Sequence, residues 1–209
     1  MSSKTTTQIV AAEGWILLGV GAVAAVLFLV LGWYRAALLV SLFVAAAAFF
    51  FRNPERIPQE QDALAVIAPI DGRVEEIALR EEGVAVRIFN SPLDVHLLRM
   101  PLQGQVVKRD RSVGLPAVFA SALDRLSYRE SYFLETATGL KGIGIELSPE
   151  VTAPVFYTKS KRFYLGERMG FFHGGRVTVV LPRSVELRLA IGDRTVAGES
   201  VLGFIRTNI

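Results

Sequence analysis

From Gly14 to Tyr34 the chain reads GWILLGVGAVAAVLFLVLGWY without a charge, and after Arg35 it runs uncharged again from Ala36 to Phe51. No other feature restricts the fold as strongly. In apolar surroundings each backbone N–H and C=O in such a stretch needs an internal partner, and a helix supplies one for nearly all of them. At a rise of about 1.5 Å per residue the first run reaches the ~30 Å of a bilayer's hydrocarbon core. The second is slightly short, a mismatch that snorkelling or local thinning accommodates. The sequence therefore predicts a transmembrane helical hairpin over residues 14–51, behind a polar N-terminus at residues 1–13. A single span followed by an interfacial helix is the alternative. Cleavage as a signal peptide is disfavoured, because the run is too long and no positive stretch directly precedes it. Trp15, Trp33 and Tyr34 fall where interfacial aromatics are expected. Lys4, Arg52 and Arg56 flank the outer ends and Arg35 alone marks the turn. That bias places the rest of the chain on the cytoplasmic side of the inner membrane.

Hydrophobic residues make up 51% of the 209, and the excess lies before residue 52, as expected for a membrane segment joined to an ordinary globular domain. The net charge of +3 is spread over basic residues mixed with acidic ones, so no nucleic-acid face is expected. The absence of cysteine excludes disulfides, thiolate metal sites and cysteine nucleophiles.

Residues 52–62 form a linker in which Pro54 and Pro58 oppose a helix. From residue 63 to 209 short β-type runs alternate with Gly, Pro and Asp. Strands are predicted over Leu64–Ala68, Arg73–Leu79, Val84–Phe89, Gln105–Arg109, Tyr132–Glu135, Gly142–Leu147, Ala153–Tyr157, Arg176–Leu181, Val185–Ala190 and Ser200–Arg206. Pro116–Leu126 alone has helical spacing there. The fold class is mainly β, a compact sandwich or barrel behind the helical hairpin. The turns at Ala68–Val74 and Gly192–Glu199 resemble those of lipoyl and biotinyl carriers, but neither contains the lysine a carrier needs.

Two side chains are candidates for chemistry. Asp71, before Gly72, reads either as a turn cap or as a carboxylate that orients a histidine. His96, in Asp94-Val-His96, reads either as a core histidine with one hydrogen bond or as an acid/base titrating near neutrality. His173 is the only other histidine. A metal would need Asp71 or Asp94 beside these two, and no ligand spacing supports one.

Four ordered stretches resemble the short phosphatidylserine decarboxylases. They are Phe50-Phe-Arg-Asn-Pro-Glu-Arg-Ile-Pro58, Ala68-Pro-Ile-Asp-Gly-Arg-Val74, Phe89-Asn-Ser-Pro-Leu-Asp-Val-His-Leu-Leu-Arg-Met-Pro-Leu-Gln-Gly104, and Leu165–Pro182 with Val196-Ala-Gly-Glu199 behind it. The likeness runs from about residue 50 to 209. It implies the family's β domain, with Asp71 and His96 at its catalytic aspartate and histidine. It also implies a Gly-Ser pair whose serine becomes a pyruvoyl group on self-cleavage. Here that pair is Gly174-Gly175. Cleavage of this kind starts with a side-chain hydroxyl attacking the preceding carbonyl and proceeds by elimination across Cα–Cβ; glycine has neither group. The sequence holds no Gly-Ser or Gly-Thr pair, and Ser184 and Ser200 lie well past the frame.

The family's tandem arginines are also missing, since Glu146–Pro154 reads ELSPEVTAP; Lys159, Lys161 and Arg162 nearby read first as a solvated loop and second as partial substitutes. The resemblance thus implies a membrane-anchored, non-catalytic relative without a cofactor, acting as an interaction module or accessory subunit. Its expected partners are the bilayer, a membrane protein or a second copy, and anionic phospholipid. Gly19, Gly21, Ala22, Ala24 and Ala25, with Ala45–Ala48, would permit close helix approach. The alternatives are an active decarboxylase making phosphatidylethanolamine and a lipid-binding protein without turnover.

Overall fold

The computed structural model describes residues 9–58, 62, 64–112, 129–136, 143–157 and 162–206. The chain divides into two compact units, residues 1–55 and 56–209. The helix expected over Pro116–Leu126, Lys159 and Lys161 lie outside the described residues.

The first unit is a helical hairpin of α1 (Gly14–Val30) and α2 (Tyr34–Phe50). α1 ends because Gly32 adopts a left-handed φ of +76°, which lets Trp33 N–H bond to Phe28 O at 2.8 Å and Gly32 N–H to Leu29 O at 3.1 Å. This is the glycine-dependent stop expected of a helix C-terminus. The Trp33 ring stacks on Phe28, 5.8 Å between centroids, and completes it. At Gly21 the helices approach closely, for a Cβ there would lie 2.5 Å from Val44 Cγ2. At the open end Ala11 N–H bonds to Phe51 O at 2.7 Å and Asn53 N–H to Ile9 O at 2.8 Å, so both ends of the hairpin lie together.

The expectation of membrane-spanning helices is corrected here. Each helix has 17 residues, about 25 Å of rise, and among the described residues no helix is long and apolar enough to cross a membrane. The turn at Leu31–Trp33 takes the last residues of the first apolar run. Ile16, Val20, Val23 and Val30 on α1 and Leu38, Leu39, Leu42 and Phe43 on α2 are nonetheless exposed.

The second unit contains fourteen described strands: β1 (Ala65–Ile67), β2 (Gly72–Arg80), β3 (Gly83–Asn90), β4 (Leu97–Arg99), β5 (Gly104–Ser112), β6 (Arg129–Thr136), β7 (Ile143–Pro149), β8 (Val155–Phe156), β9 (Arg162–Phe163), β10 (Arg168–Phe171), β11 (Gly175–Leu181), β12 (Val185–Leu187), β13 (Arg194–Thr195) and β14 (Val201–Ile205). They form an eight-stranded sheet in the order β13-β2-β3-β11-β7-β6-β5-β9 and two three-stranded sheets, β1-β14-β12 and β4-β10-β8. Every described pairing is antiparallel. The second half of β3, with Val86, Ile88 and Asn90 buried and Arg87 and Phe89 half-buried between them, shows why these sequences form sheet. One face meets the core and the other meets solvent. Val66, Ile88, Leu98, Met100, Leu147, Phe172, Val177, Val179 and Leu202 come from all three sheets and their connections, and they share a single core.

The mainly β class holds, and strands lie at all the predicted runs that are described. Val185–Ala190 shortens to Val185–Leu187, and Ala153–Tyr157 to two residues beside Pro154. The sequence does not predict β4, β9, β10 or β13. They are two to four residues long, too short to show a period.

Candidate functional site

The site is built where β2 begins, β3 ends and β11 begins. Gly175 sits opposite Asn90 on β3 and opposite Pro149 on β7. Asn90 is buried, and its Nδ2 donates to Asp71 O at 2.8 Å and to Val95 O at 3.1 Å. One amide side chain therefore ties Asp71, the residue before His96, and the strand partner of Gly175 into one cluster.

The Asp71 carboxylate is held by a fork and a main-chain donor. Arg56 Nη1 donates to Oδ1, Arg56 Nη2 donates to Oδ2 at 2.8 Å, and Ala197 N–H donates to Oδ1 at 2.7 Å. Arg56 also donates to Ala197 O at 3.0 Å. Both side chains are largely buried, with 9% and 13% exposure. Pairing and hydrogen bonding of this kind offset the cost of burying a carboxylate. Thr195 fixes the same turn by donating from Oγ1 to Ile70 O at 3.1 Å.

His96 has no exposed surface. Its Nε2 lies 3.3 Å from Pro92 O, its ring is 5.8 Å from that of Phe171, and its backbone O accepts from Phe172 N–H at 2.8 Å. Asp94, two residues earlier, uses its carboxylate to cap the turn, accepting from Ser91 N–H at 2.9 Å and Ser91 Oγ at 2.7 Å. His173 stands edge-on to Phe171 at 5.0 Å. Among the described residues no group of three His, Asp or Glu side chains is placed to hold a metal ion.

Gly174 and Gly175 take φ values of +94° and +127°, which side-chain-bearing residues rarely adopt. A Cβ on Gly174 would only touch Asn90 O at 3.6 Å and His96 Cε1 at 4.0 Å. A Cβ on Gly175 would lie 2.5 Å from Ser148 O and 2.8 Å from Glu150 N. The Gly174 carbonyl accepts from Glu150 N–H at 3.0 Å. The structure therefore gathers Asp71, His96, Gly174 and Gly175 around Asn90, and directs the Asp71 carboxylate oxygens to Arg56 and Ala197.

Sequence reasoning misses the roles of Arg56 and Asn90. Arg56 reads as a flanking charge, and Asn90 as one letter of a longer motif. Its place directly before Ser91-Pro92, at the end of an apolar strand, is the available signal, since Asn favours such turns. Of the basic residues offered as substitute anchors, Arg162 lies exposed on β9. Arg99, which closes β4, is buried and donates from Nη1 to Gly166 O at 3.0 Å.

The site thus belongs to an antiparallel β protein in which Gly175 opens a strand within the large sheet, near the Arg56-paired Asp71 and the buried His96. The chain belongs to the phosphatidylserine decarboxylase family. The family model for phosphatidylserine decarboxylase matches residues 43–203. The phosphatidylserine decarboxylase proenzyme of Geotalea uraniireducens (strain Rf4) is 36% identical over 221 residues, covering 98% of this chain and 100% of the relative. The proenzyme of Syntrophotalea carbinolica is 32% identical over 97% of this chain and 100% of its own length. That of Symbiobacterium thermophilum is 34% identical over 96% and 98%. No solved structure matches the chain.

Proposed function

We propose that this protein is a non-catalytic, membrane-anchored member of the phosphatidylserine decarboxylase family, whose β domain serves as an interaction module or accessory subunit of a membrane complex. The observation that carries this reading is Gly175. It offers no hydroxyl to attack the Gly174 carbonyl and no Cβ across which an ester could eliminate, so it does not fit a pyruvoyl precursor. A pyruvoyl group acts as the electron sink for loss of carbon dioxide, as other carbonyl cofactors do. On this reading Asp71 and His96 are inherited positions, and Asp71 serves the fold through Arg56.

Anchoring is supported by the hairpin, which displays apolar side chains on both helices. Water disfavours so large an apolar surface, and lipid or a membrane-protein partner would cover it. Neither helix alone reaches ~30 Å, so the hairpin enters the inner membrane from the cytoplasmic side and returns to it without either helix spanning the bilayer. The β domain then lies on the cytoplasmic side.

The test is the intact mass of the purified native chain, measured together with carbon dioxide release from phosphatidylserine. One uncleaved species near 22.9 kDa without turnover is expected. Two fragments divided at Gly174–Gly175, or turnover by the uncleaved chain, would overturn the reading and favour the activity for which the relatives are named.

A further inference from the structure

We propose that Arg73 and Arg194 form a binding site for a phosphate group on the solvent face of the large sheet. This goes beyond the reading above and stands whether or not the chain is cleaved at Gly175. The two arginines lie directly opposite each other on β2 and β13. Directly opposed residues of an antiparallel pair point to the same face, and like charges there are destabilising. Both side chains are exposed, and among the described residues neither makes a hydrogen bond or an ion pair.

The neighbouring carboxylates are committed elsewhere. Glu75, two residues along β2, accepts from Arg176 at 2.9 and 3.3 Å. Asp193, beside Arg194, accepts from Ala190 N–H at 2.8 Å. Other arginines of the same sheet are matched: Arg176 with Glu75 and Glu150, Arg80 with Glu146, and Arg87 with Glu76. The register continues the row across the sheet, Arg194–Arg73–Phe89–Arg176, with the Arg176 guanidinium 5.3 Å from the Phe89 ring centre. Two unmatched planar forks side by side suit the oxygens of one phosphate, which a guanidinium binds through two parallel N–H bonds. Gly192, at the adjoining turn, leaves open space where a side chain would stand, so access to the pair is not obstructed there. The recognised chemistry is a phosphate, from a phospholipid headgroup or from a solute.

The experiment uses the full chain in neutral phosphatidylcholine nanodiscs. Its melting temperature is followed with inorganic phosphate, with dihexanoyl-phosphatidylglycerol, and with chloride at matched ionic strength. The wild-type temperature is expected to rise with at least one phosphate probe beyond the chloride control. A rise with inorganic phosphate indicates a solute anion, and a rise with the lipid alone indicates a headgroup; either supports the site. Arg73→Gln and Arg194→Gln are each expected to abolish the rise and, by relieving the repulsion, to melt no lower than wild type without anion. Arg183→Gln, an exposed arginine outside the row, should keep the full response. The proposal is overturned if wild type responds to neither probe, if both glutamine variants respond like wild type, or if both melt lower than wild type without anion. The last result would make the arginines structural. None of these readouts depends on cleavage or decarboxylation.

Discussion

The Asp71 carboxylate sits in a largely buried place where Arg56 and the Ala197 N–H meet it. Removing one partner strands the other, and breaking a buried pair typically costs about 3–5 kcal/mol. Asp71→Ala should lower unfolding stability by that order in chemical denaturation. The double change Arg56→Met with Asp71→Leu should recover much of the loss, because well-packed apolar residues often replace buried ion pairs at little cost. A double variant no more stable than Asp71→Ala would show that the pair does more than compensate its own charges. Gly175→Ser should not restore cleavage. With φ at +127° and Ser148 O and Glu150 N in the way of a Cβ, the strand must shift, a strain of about 1–3 kcal/mol. A single mass with a lowered melting temperature is expected, and two fragments would show that the frame still accommodates serine. Much of this site is legible in the sequence, because Asp71, His96 and the glycine pair sit in recognisable frames. Arg56 and Asn90 are not. Their contacts cross 15 and 19 residues, and only the folded register shows which carbonyl or carboxylate each one reaches.

At the scale of elements, the hairpin makes a paired prediction about packing. Gly21→Leu drives a side chain into Val44, whereas a Cβ on Gly19, in the same helix, would meet nothing within 4 Å. Overpacking typically costs about 1–3 kcal/mol. Gly21→Leu should therefore lower thermal stability in detergent while Gly19→Leu leaves it near wild type; equal effects would mean that the helices do not meet as described. In the small sheet, the Arg206 hydrogen bond, followed by the charge of Arg188, holds the Glu186 carboxyl below its ordinary value. A carboxyl so lowered adds stability above its unfolded-state value, and loses it as pH falls through the folded one. The advantage of wild type over Glu186→Gln should then be present at neutral pH and vanish in acid. An advantage that persists in acid would assign it to packing. Longer runs rich in β-branched and apolar residues, such as β3 and β11, are readable from their own sequences. The short strands β4, β9, β10 and β13 are not, since their partners rather than their own sequences define them. The helices are readable in type and not in reach, because one glycine-dependent turn shortens the first run.

For the whole molecule, the proposed anchoring through the apolar hairpin makes a fractionation prediction. The native chain is expected to stay in the membrane pellet through an alkaline carbonate wash and to leave it only with detergent. Release by carbonate alone would rule out insertion of the hairpin. The β unit carries a different constraint in its pairing order. β1 bonds to β14, β2 to β13, and Asp71 is completed by the N–H of Ala197. The first strands of the unit thus find these partners far along the chain, 126 residues on in the case of Asp71 and Ala197. While the ribosome is still translating the stretch before residue 201, β1 has no edge to join and the core lacks Leu202 and Ile205. The nascent domain must wait, open and apolar, until β13 and β14 have cleared the exit tunnel, and that interval is when it most needs a chaperone.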